Sequence, residues 1–312
     1  MKKIVHIILM TIFSITIVSC KSDDSKTTTT PSGLFVATGQ SATILTSTDG
    51  ISWTSRTSGI SETNSIWETS YGNSTFAVVG DNGTILTSAD GTSWTSRTSG
   101  TTEDLWGITY GNSTFVVVGD NGSSSGTILT SSDGTTWTSR TSGINIQLWG
   151  VVYGNNTFVV VGPSGTILTS TDGTTWTSRT SGITNNIWGV TYGNNIFVAV
   201  SYGGEIITSS DGSSWTSRNS YTTKLLSDVK YAENIFAAVG YDGTILRSED
   251  GISWDSVSGV TFDINGVDNG LSTWVLVGLS GKISTISEGE DTFTSRTSGT
   301  TENIWRVLFK AD

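Results

Sequence analysis

Residues 106–143 read WGITYGNSTFVVVGDNGSSSGTILTSSDGTTWTSRTSG, and the chain repeats this stretch with small changes from Leu34 to its end. A tryptophan after the Asp-Gly pair marks six copies, and a phenylalanine marks the seventh. Successive marks are 41, 43, 39, 39, 39 and 39 residues apart. A repeat of about 40 residues is typical of propellers and solenoids, so the repeat is the main evidence for the fold class. The marks are Trp53, Trp94, Trp137, Trp176, Trp215, Trp254 and Phe293.

Each copy contains four short β-forming segments separated by Gly, Asn and Asp. Trp106, Ile108 and Tyr110 alternate with other residues, which is the period of a strand. Residues 114–118 form a largely apolar run, as in a strand buried on both faces. Residues 127–130 and 136–141 supply a third and a fourth strand. Four strands in about 40 residues predict one propeller blade.

The two ends of the repeat region predict how the ring closes. The first copy begins at Leu34, inside the second strand, and therefore lacks its first strand. Residues 304–309, at the end of the chain, match a first strand. The predicted fold is all-β: a seven-bladed propeller of four-stranded blades over residues 34–312. Its C-terminal strand completes the first blade and leaves no unpaired edge in the ring.

The Ser-x-Asp-Gly-x-x-Trp motif resembles the Asp-box of sialidase-type propellers. The whole repeat is similar to the photosystem II assembly-factor group of seven-bladed propellers. The resemblance implies a structural role for each box, in which Ser and Asp accept turn N–H groups and Gly adopts a positive φ. The motif is one residue shorter than the usual box, and the seventh copy lacks its Asp. The structural Asp-box residues are Asp49, Asp90, Asp133, Asp172, Asp211 and Asp250.

The first 33 residues indicate where the protein resides. Residues 1–19 have a basic start and an apolar run that is shorter than the ~20 residues of a membrane-spanning helix, which is typical of a signal peptide. Residues 17–20, Ile-Val-Ser-Cys, resemble the lipobox of bacterial lipoproteins, which implies acylation of Cys20. An ordinary secretory leader is the alternative. Residues 20–33 predict a flexible tether, and Asp23-Asp24 resembles a surface-export signal. We expect a monomeric outer-membrane lipoprotein of the cell envelope, exposed at the surface.

Composition excludes several classes of function. The net charge of −11 disfavours nucleic acid as a partner. The only histidine is His6 and the only cysteine is Cys20, so the mature chain has no His or free thiolate metal ligand and no Ser–His or Cys–His couple. We expect no enzyme activity, cofactor or metal. A glycan-active enzyme of sialidase-like architecture is an alternative, which would use loop carboxylates: Glu62, Glu103, Asp104, Asp263 and Glu302.

Departures from the repeat indicate a candidate ligand-binding patch. Tyr202, Tyr221 and Tyr241 occur outside the template, in loops of the fifth and sixth copies, and Lys224 lies between them. Tyr202 and Tyr241 lie in loops between second and third strands, and Tyr221 lies in the connection between two units. These two kinds of loop share one face of a propeller, so the sequence predicts exposed aromatic rings beside a cation. Three tyrosines placed in loops by chance are the alternative.

Two rings of repeated side chains are assigned to the scaffold. The first-strand tryptophans are expected in the core between blades rather than as a collar at the channel mouth: Trp67, Trp106, Trp149, Trp188 and Trp305. The outer-strand arginines are expected to protect strand edges rather than to grip an acidic partner: Arg56, Arg97, Arg140, Arg179, Arg218 and Arg296.

The sequence therefore predicts a lipid-anchored binding or scaffold protein that presents one loop face to a protein or glycan. The alternative, by analogy of fold alone, is an assembly factor for a membrane protein complex.

Overall fold

The computed structural model describes residues 32–120 and 126–312. Cys20, the leader and nearly all of the predicted tether lie outside these residues. In the described ranges no helix is long and apolar enough to cross a membrane.

The described residues form seven four-stranded antiparallel sheets, which confirms the predicted propeller. Blade 1 contains the last strand and the first three, and each later blade contains four consecutive strands. The first strand of every blade contacts the first strands of both neighbouring blades, so these strands line the ring's centre. They are β4 (Ile66–Gly72), β8 (Leu105–Gly111), β12 (Gly150–Gly154), β16 (Ile187–Gly193), β20 (Leu226–Ala232), β24 (Ile264–Gly270) and β28 (Ile304–Ala311).

The second and third strands of each blade are almost wholly buried, because sheets pack on both of their faces. The second strands are β1 (Gly33–Gly39), β5 (Thr75–Gly80), β9 (Thr114–Gly119), β13 (Thr157–Val161), β17 (Ile196–Ser201), β21 (Ile235–Gly240) and β25 (Thr273–Gly278). The third strands are β2 (Ile44–Ser47), β6 (Ile85–Ser88), β10 (Thr127–Ser131), β14 (Thr166–Ser170), β18 (Ile206–Ser209), β22 (Ile245–Ser248) and β26 (Lys282–Ser287).

The outer strands are short and mostly exposed, which limits the edge each blade offers to another chain. They are β3 (Thr54–Arg56), β7 (Thr95–Arg97), β11 (Thr138–Thr141), β15 (Thr177–Thr180), β19 (Thr216–Arg218), β23 (Asp255–Val257) and β27 (Thr294–Thr297). Single turns of 3₁₀ helix follow three second strands, at Pro163–Gly165, Tyr241–Gly243 and Leu279–Gly281.

The ring closes as predicted. Strand β28 pairs antiparallel with β1, from Gly33 opposite Ala311 to Gly39 opposite Ile304. The contact continues beyond the strands, where the side-chain amide of Asn303 donates to Gln40 at 3.0 Å. The last residues of the chain therefore supply the inner strand of the first blade.

The core is divided among the interfaces between blades. Seven clusters of buried apolar residues occur in the described chain, and each combines side chains of two adjacent blades. The second-strand phenylalanine is completely or almost completely buried, and five such rings contact the box tryptophan of their own blade. For example, Phe115 lies 6.2 Å from Trp137. Stability therefore rests on packing between neighbouring sheets.

The Asp-boxes have the predicted structural geometry. In blade 2, the Ser88 hydroxyl accepts the N–H of Gly91 at 2.8 Å, and Asp90 accepts the N–H groups of Thr92 and Ser93. These hydrogen bonds, that of Ser93 above all, hold the pKa of Asp90 well below its usual range. The turn needs glycine because φ at Gly91 is 72°.

The loops separate into two sets, one on each face of the propeller. The turns between first and second strands lie with the Asp-box turns on the turn face, where Asn112 of blade 3 donates to the Thr171 carbonyl of blade 4 at 3.5 Å. The loops between second and third strands lie with the connections between blades on the loop face, where the Gly83 N–H donates to the Glu103 carbonyl at 2.7 Å.

Candidate functional site

The predicted tyrosines all lie on the loop face and are solvent-exposed. Tyr202 is 57% exposed, Tyr221 is 80% exposed and Tyr241 is 41% exposed. They are the most exposed aromatic residues of the described chain, and their rings do not stack on one another. We call Tyr202, Tyr221 and Tyr241 the tyrosine patch.

Contacts between loops hold the tyrosine patch in place. The Ser220 hydroxyl, next to Tyr221, donates to the Gly204 carbonyl at 2.5 Å and so joins the blade 5–6 connection to the Tyr202 loop. Lys224 forms an exposed ion pair with Asp242, next to Tyr241. Lys224 therefore joins two loops through its ion pair.

Tyr202 replaces a residue that has a structural role in another blade. In blade 2 the equivalent residue is Asp81, whose carboxylate accepts the indole N–H of Trp67 and the backbone N–H of Ser65. In blade 5 the indole nitrogen of Trp188 is buried and has no hydrogen-bond partner in the described structure. A buried donor without a partner costs about 1–3 kcal/mol. The exposed tyrosine thus stands where an aspartate would stabilise the fold.

The first-strand tryptophans are not in the core, so that expectation was wrong. All five are half-buried, and none belongs to the buried clusters between blades. Trp67 stacks on Trp305 at 4.9 Å, Trp149 stacks on Trp188 at 4.4 Å, and Trp106 meets Trp149 edge-on at 6.1 Å. The contacting rings fall into two groups, one across blades 1 and 2 and one across blades 3–5, and we call these five tryptophans the aromatic arc.

A backbone irregularity explains this error. The pairing of β8 with β9 shifts by one residue between Leu105 and Gly107, which is a β-bulge. Leu105 is therefore completely buried on the same interface as Ile108, and Trp106 is displaced from it. Simple alternation had placed the tryptophan, rather than the leucine, on the buried face.

The arc is interrupted in blades 6 and 7, where Ser227 and Asn265 occupy the tryptophan position. Arg306 of blade 1 reaches into this part of the ring. Its guanidinium donates to the Asn265 carbonyl at 2.7 Å, to the Ser227 carbonyl at 3.4 Å and to the Glu68 carboxylate at 3.2 Å. One side chain therefore joins blades 6, 7, 1 and 2.

Two carboxylates of the same region bridge blades through backbone N–H groups. Asp228 accepts the N–H of Val267 at 3.1 Å, and Asp268 accepts the N–H of Phe309 at 2.8 Å. Lys230 lies 3.6 Å from Asp268. We call Glu68, Asp228, Lys230, Asp268 and Arg306 the channel cluster.

The channel cluster contains one more acid than bases, and its electrostatics reflect burial. Burial raises the pKa of Glu68, and Arg306 opposes that rise. Burial likewise raises the pKa of Asp268, and Lys230 opposes it. Burial lowers the pKa of Lys230, but the carboxylates, Asp268 first, raise it above its ordinary value overall. The cluster is a set of mutually dependent charges at the closure of the ring.

Sequence reasoning missed the channel cluster, although a signal for it was present. Most first strands carry glycine at the third position, whereas Glu68, Asp228 and Arg306 replace it. Lys230 and Asp268 replace a residue two positions later. Charged departures from a repeat on its inner strands identify groups that face one another.

Comparisons with known proteins concern the fold. No protein-family model matches the chain, and neither does any curated protein. Among solved structures, it is similar to YCF48 bound to D1 peptide, with 18% identity, a TM-score of 0.64, and coverage of 78% of this chain and 85% of that chain. It is also similar to YCF48 from Cyanidioschyzon merolae, with 16% identity, a TM-score of 0.59, and coverage of 78% and 94%. The likeness establishes a YCF48-like seven-bladed propeller.

An enzyme shares the architecture as well. The GH74 enzyme of Niastella koreensis has 19% identity and a TM-score of 0.58 over 73% of this chain, which spans 37% of that enzyme. Here, three of the five loop carboxylates accept hydrogen bonds from neighbouring loops: Glu302 from Ser41, Asp104 from Asn82, and Asp263 from Asp242. No cluster of three or more metal-ligating residues occurs in the part of the chain that the structure describes.

The repeat arginines lie on the outer strands, as predicted. In every case Nε donates to the hydroxyl of a buried threonine on the neighbouring third strand, at 2.7–2.9 Å. Blade 6 is the exception, with Val257 at the arginine position and Arg247 at the threonine position.

Proposed function

We propose that this protein is a lipid-anchored binding protein of the cell envelope that holds a segment of a membrane protein partner, as an assembly factor does, and catalyses no reaction. The observation that carries the proposal is the tyrosine patch, three exposed rings on the face where the repeat is broken. Exposed aromatic residues contribute strongly to protein recognition because they bury a large area with little loss of side-chain freedom.

The cost of Tyr202 supports a functional role for the patch. Replacing the aspartate found in blade 2 leaves the Trp188 indole N–H without a partner. The Trp305 indole of blade 1, where Gln40 is the equivalent residue, also lacks a partner, so what distinguishes Tyr202 is that its ring is exposed. Residues that do not favour stability are often found at functional sites.

The fold likeness supports a peptide as the ligand. The similar propeller YCF48 has been solved with a bound peptide of D1. At 18% identity this likeness supplies an analogy of architecture, and the residues that would bind are those of this chain. The absence of catalysis is proposed from the sequence, whose only histidine, His6, lies in the leader and whose only cysteine, Cys20, is the expected site of acylation.

Site-specific crosslinking in the cells that make the protein tests the proposal. A photoreactive residue at Tyr221, on the loop face, is compared with one at Ile252, which is 43% exposed on the turn face. We expect position 221 to capture one defined segment of a membrane protein that position 252 does not capture. The same capture from both positions would contradict the proposal.

A synthetic peptide of the captured segment then provides the quantitative test. Alanine at Tyr202, Tyr221 and Tyr241 should weaken its binding more than about tenfold, equivalent to about 1.4 kcal/mol. Alanine at Ile51 and Ile252, which are similarly exposed on the turn face, is the matched control and should leave the affinity unchanged. Equal affinity for the triple variant and the control would refute the role of the patch.

The anchor is tested separately, since it rests on the resemblance of residues 17–20 to a lipobox. Cys20→Ser should move the protein from the detergent phase to the aqueous phase while leaving its melting temperature unchanged, because an acyl chain contributes about 0.8 kcal/mol per buried CH₂. Wild-type protein in the aqueous phase would contradict the anchor but not the loop-face site.

A further inference from the structure

We propose that the outer edge of the loop face carries a ring of binding sites for the carboxylate groups of an acidic polysaccharide. This inference concerns a different surface from the tyrosine patch. The ligand groups are the repeat arginines, which occur in blades 1–5 and 7: Arg56, Arg97, Arg140, Arg179, Arg218 and Arg296.

Surface grooves recur at the same place in the repeat and contain these arginines. The groove of blade 2 has a volume of about 590 Å³ and is lined by Arg97, Ser96 and Thr101 among others. The groove of blade 7 has a volume of about 560 Å³ and is lined by the equivalent Arg296 together with Lys282. A smaller groove of about 490 Å³ contains Arg140 of blade 3. The grooves of blades 2 and 7 are shallow and widely open to solvent, so a ligand would lie across the surface rather than inside a cavity.

The grooves of blades 2 and 7 have a charge opposite to that of the protein, whereas Glu103 lines the groove of blade 3. The chain has a net charge of −11, yet no acidic side chain lines the grooves of blades 2 and 7. None of the six arginines forms an ion pair with a described residue. In a protein with 27 acidic residues, six unpaired guanidinium groups at equivalent positions are available to an external anion.

The arginines are also held in a fixed orientation. Nε of Arg97 donates to the buried Thr87 hydroxyl at 2.7 Å, and Arg296 makes the same bond to Thr285 at 2.8 Å. This bond uses one donor and leaves the two terminal nitrogens, which can bind a carboxylate through two parallel hydrogen bonds. Protection of a strand edge requires a charge but neither the fixed orientation nor an acid-free groove.

The rest of the lining favours a sugar acid over an acidic peptide. Serine and threonine hydroxyls and glycine backbone surround each arginine in the grooves of blades 2 and 7, and no aromatic or aliphatic side chain is present. Hydroxyl groups match those of a sugar ring, whereas a peptide would gain little without apolar contacts. Equivalent sites around one edge suit a polymer with repeated carboxylates, because linked sites bind more tightly than single ones.

The test measures binding of the full chain to polygalacturonate, with fully methyl-esterified polygalacturonate as the neutral counterpart. We expect binding of the acid polymer and none of the ester. The variant R97Q/R179Q/R296Q should weaken binding at least tenfold, since it removes half of the sites. The control R247Q removes the blade 6 arginine, which is exposed and paired with Glu249 at 3.6 Å, and should change affinity less than twofold.

Equal binding of the ester, or equal loss of affinity in R247Q and the triple variant, would overturn the proposal. Glutamine retains an N–H donor for the threonine hydroxyl, so melting temperatures of the triple variant and R247Q within a few degrees of wild type establish that the fold is intact. Should the triple variant unfold, R97K/R179K/R296K replaces it. Lysine keeps the charge but cannot form two parallel hydrogen bonds, so a loss of at least threefold is expected and unchanged affinity refutes the carboxylate site.

Discussion

Replacing Arg306 by alanine should destabilise the whole propeller. Its guanidinium donates to carbonyls of blades 6 and 7 and to the Glu68 carboxylate of blade 2, and the two side chains are only 19% and 26% exposed. Removing one member of a largely buried pair leaves an uncompensated charge, which costs about 3–5 kcal/mol. For a domain of this size the loss corresponds to a fall of about 5–15 °C in melting temperature.

A matched control is available on the same strand. Lys310 lies 3.1 Å from Asp312, which is 61% exposed, and its ammonium group is 5.5 Å from the centre of the Tyr71 ring. An exposed pair contributes about 0–1 kcal/mol, so Lys310→Ala should cost about 1 kcal/mol. Urea unfolding followed by tryptophan fluorescence measures both variants, because Trp305 is next to Arg306 and stacks on Trp67.

The pH dependence separates lost charge compensation from lost packing. Burial raises the pKa of Glu68 above its value in the unfolded chain, so ionisation of this group disfavours the folded state as the pH rises. Arg306 opposes this rise, and without it the pKa of Glu68 increases further. The deficit of Arg306→Ala should therefore be largest at pH 7 and smaller at pH 4, and adding Glu68→Gln should recover part of it at pH 7. A deficit below about 1 kcal/mol, or one that neither pH nor Glu68→Gln alters, would refute this account.

Three further outcomes are expected. Deleting residues 304–312 removes the buried side chains of Ile304 and Val307 and the partner of β1. Calorimetry should then show either no cooperative transition or a melting temperature more than about 10 °C lower. Deleting only the exposed residues 311–312 should have little effect. Tyr202→Asp should raise stability by about 1 kcal/mol in urea unfolding, since it offers the Trp188 indole the acceptor that Asp81 gives Trp67; no gain would contradict that reasoning. Hydrogen bonds lower the pKa of box aspartates such as Asp90 and Asp172. These aspartates therefore stabilise the fold above the pKa of about 3.9 that aspartate has in the unfolded chain, and this stabilisation is lost progressively below it. The melting temperature should fall between pH 5 and pH 2.5, and a rise would show that Glu68 and Asp268 dominate.

The repeat predicts the fold because each copy specifies the same four strands and turns. The half blade at Leu34 and the matching strand at residues 304–309 also predict the closure. Both inferences depend only on the order of the repeated segments along the chain, which can be read from the sequence. The exposed positions of Tyr202, Tyr221 and Tyr241 follow in the same way, from their places in loops of known class.

Side-chain direction on the inner strands could not be predicted from the pattern. The bulge between Ile66 and Glu68 changes which face Trp67 occupies, and no residue type marks it. The channel cluster depends on proximity across the ring: Glu68 and Arg306 are 238 positions apart in sequence and 3.2 Å apart in space. Only the closed structure brings these charges together.

Closure by β28 also has a consequence for the order of folding. Gln40 and Asn303 bond to each other across 263 positions of sequence, so blade 1 acquires its inner strand only after almost the entire chain exists. Contacts of such long range carry a large loop-closure entropy and slow folding. Blades 2–7 each consist of consecutive strands, so they can form while blade 1 is still incomplete and β1 is unpaired on its inner side. An unpaired strand edge binds other chains readily, so until β28 pairs with β1 the inner edge of blade 1 is open to pairing with another molecule.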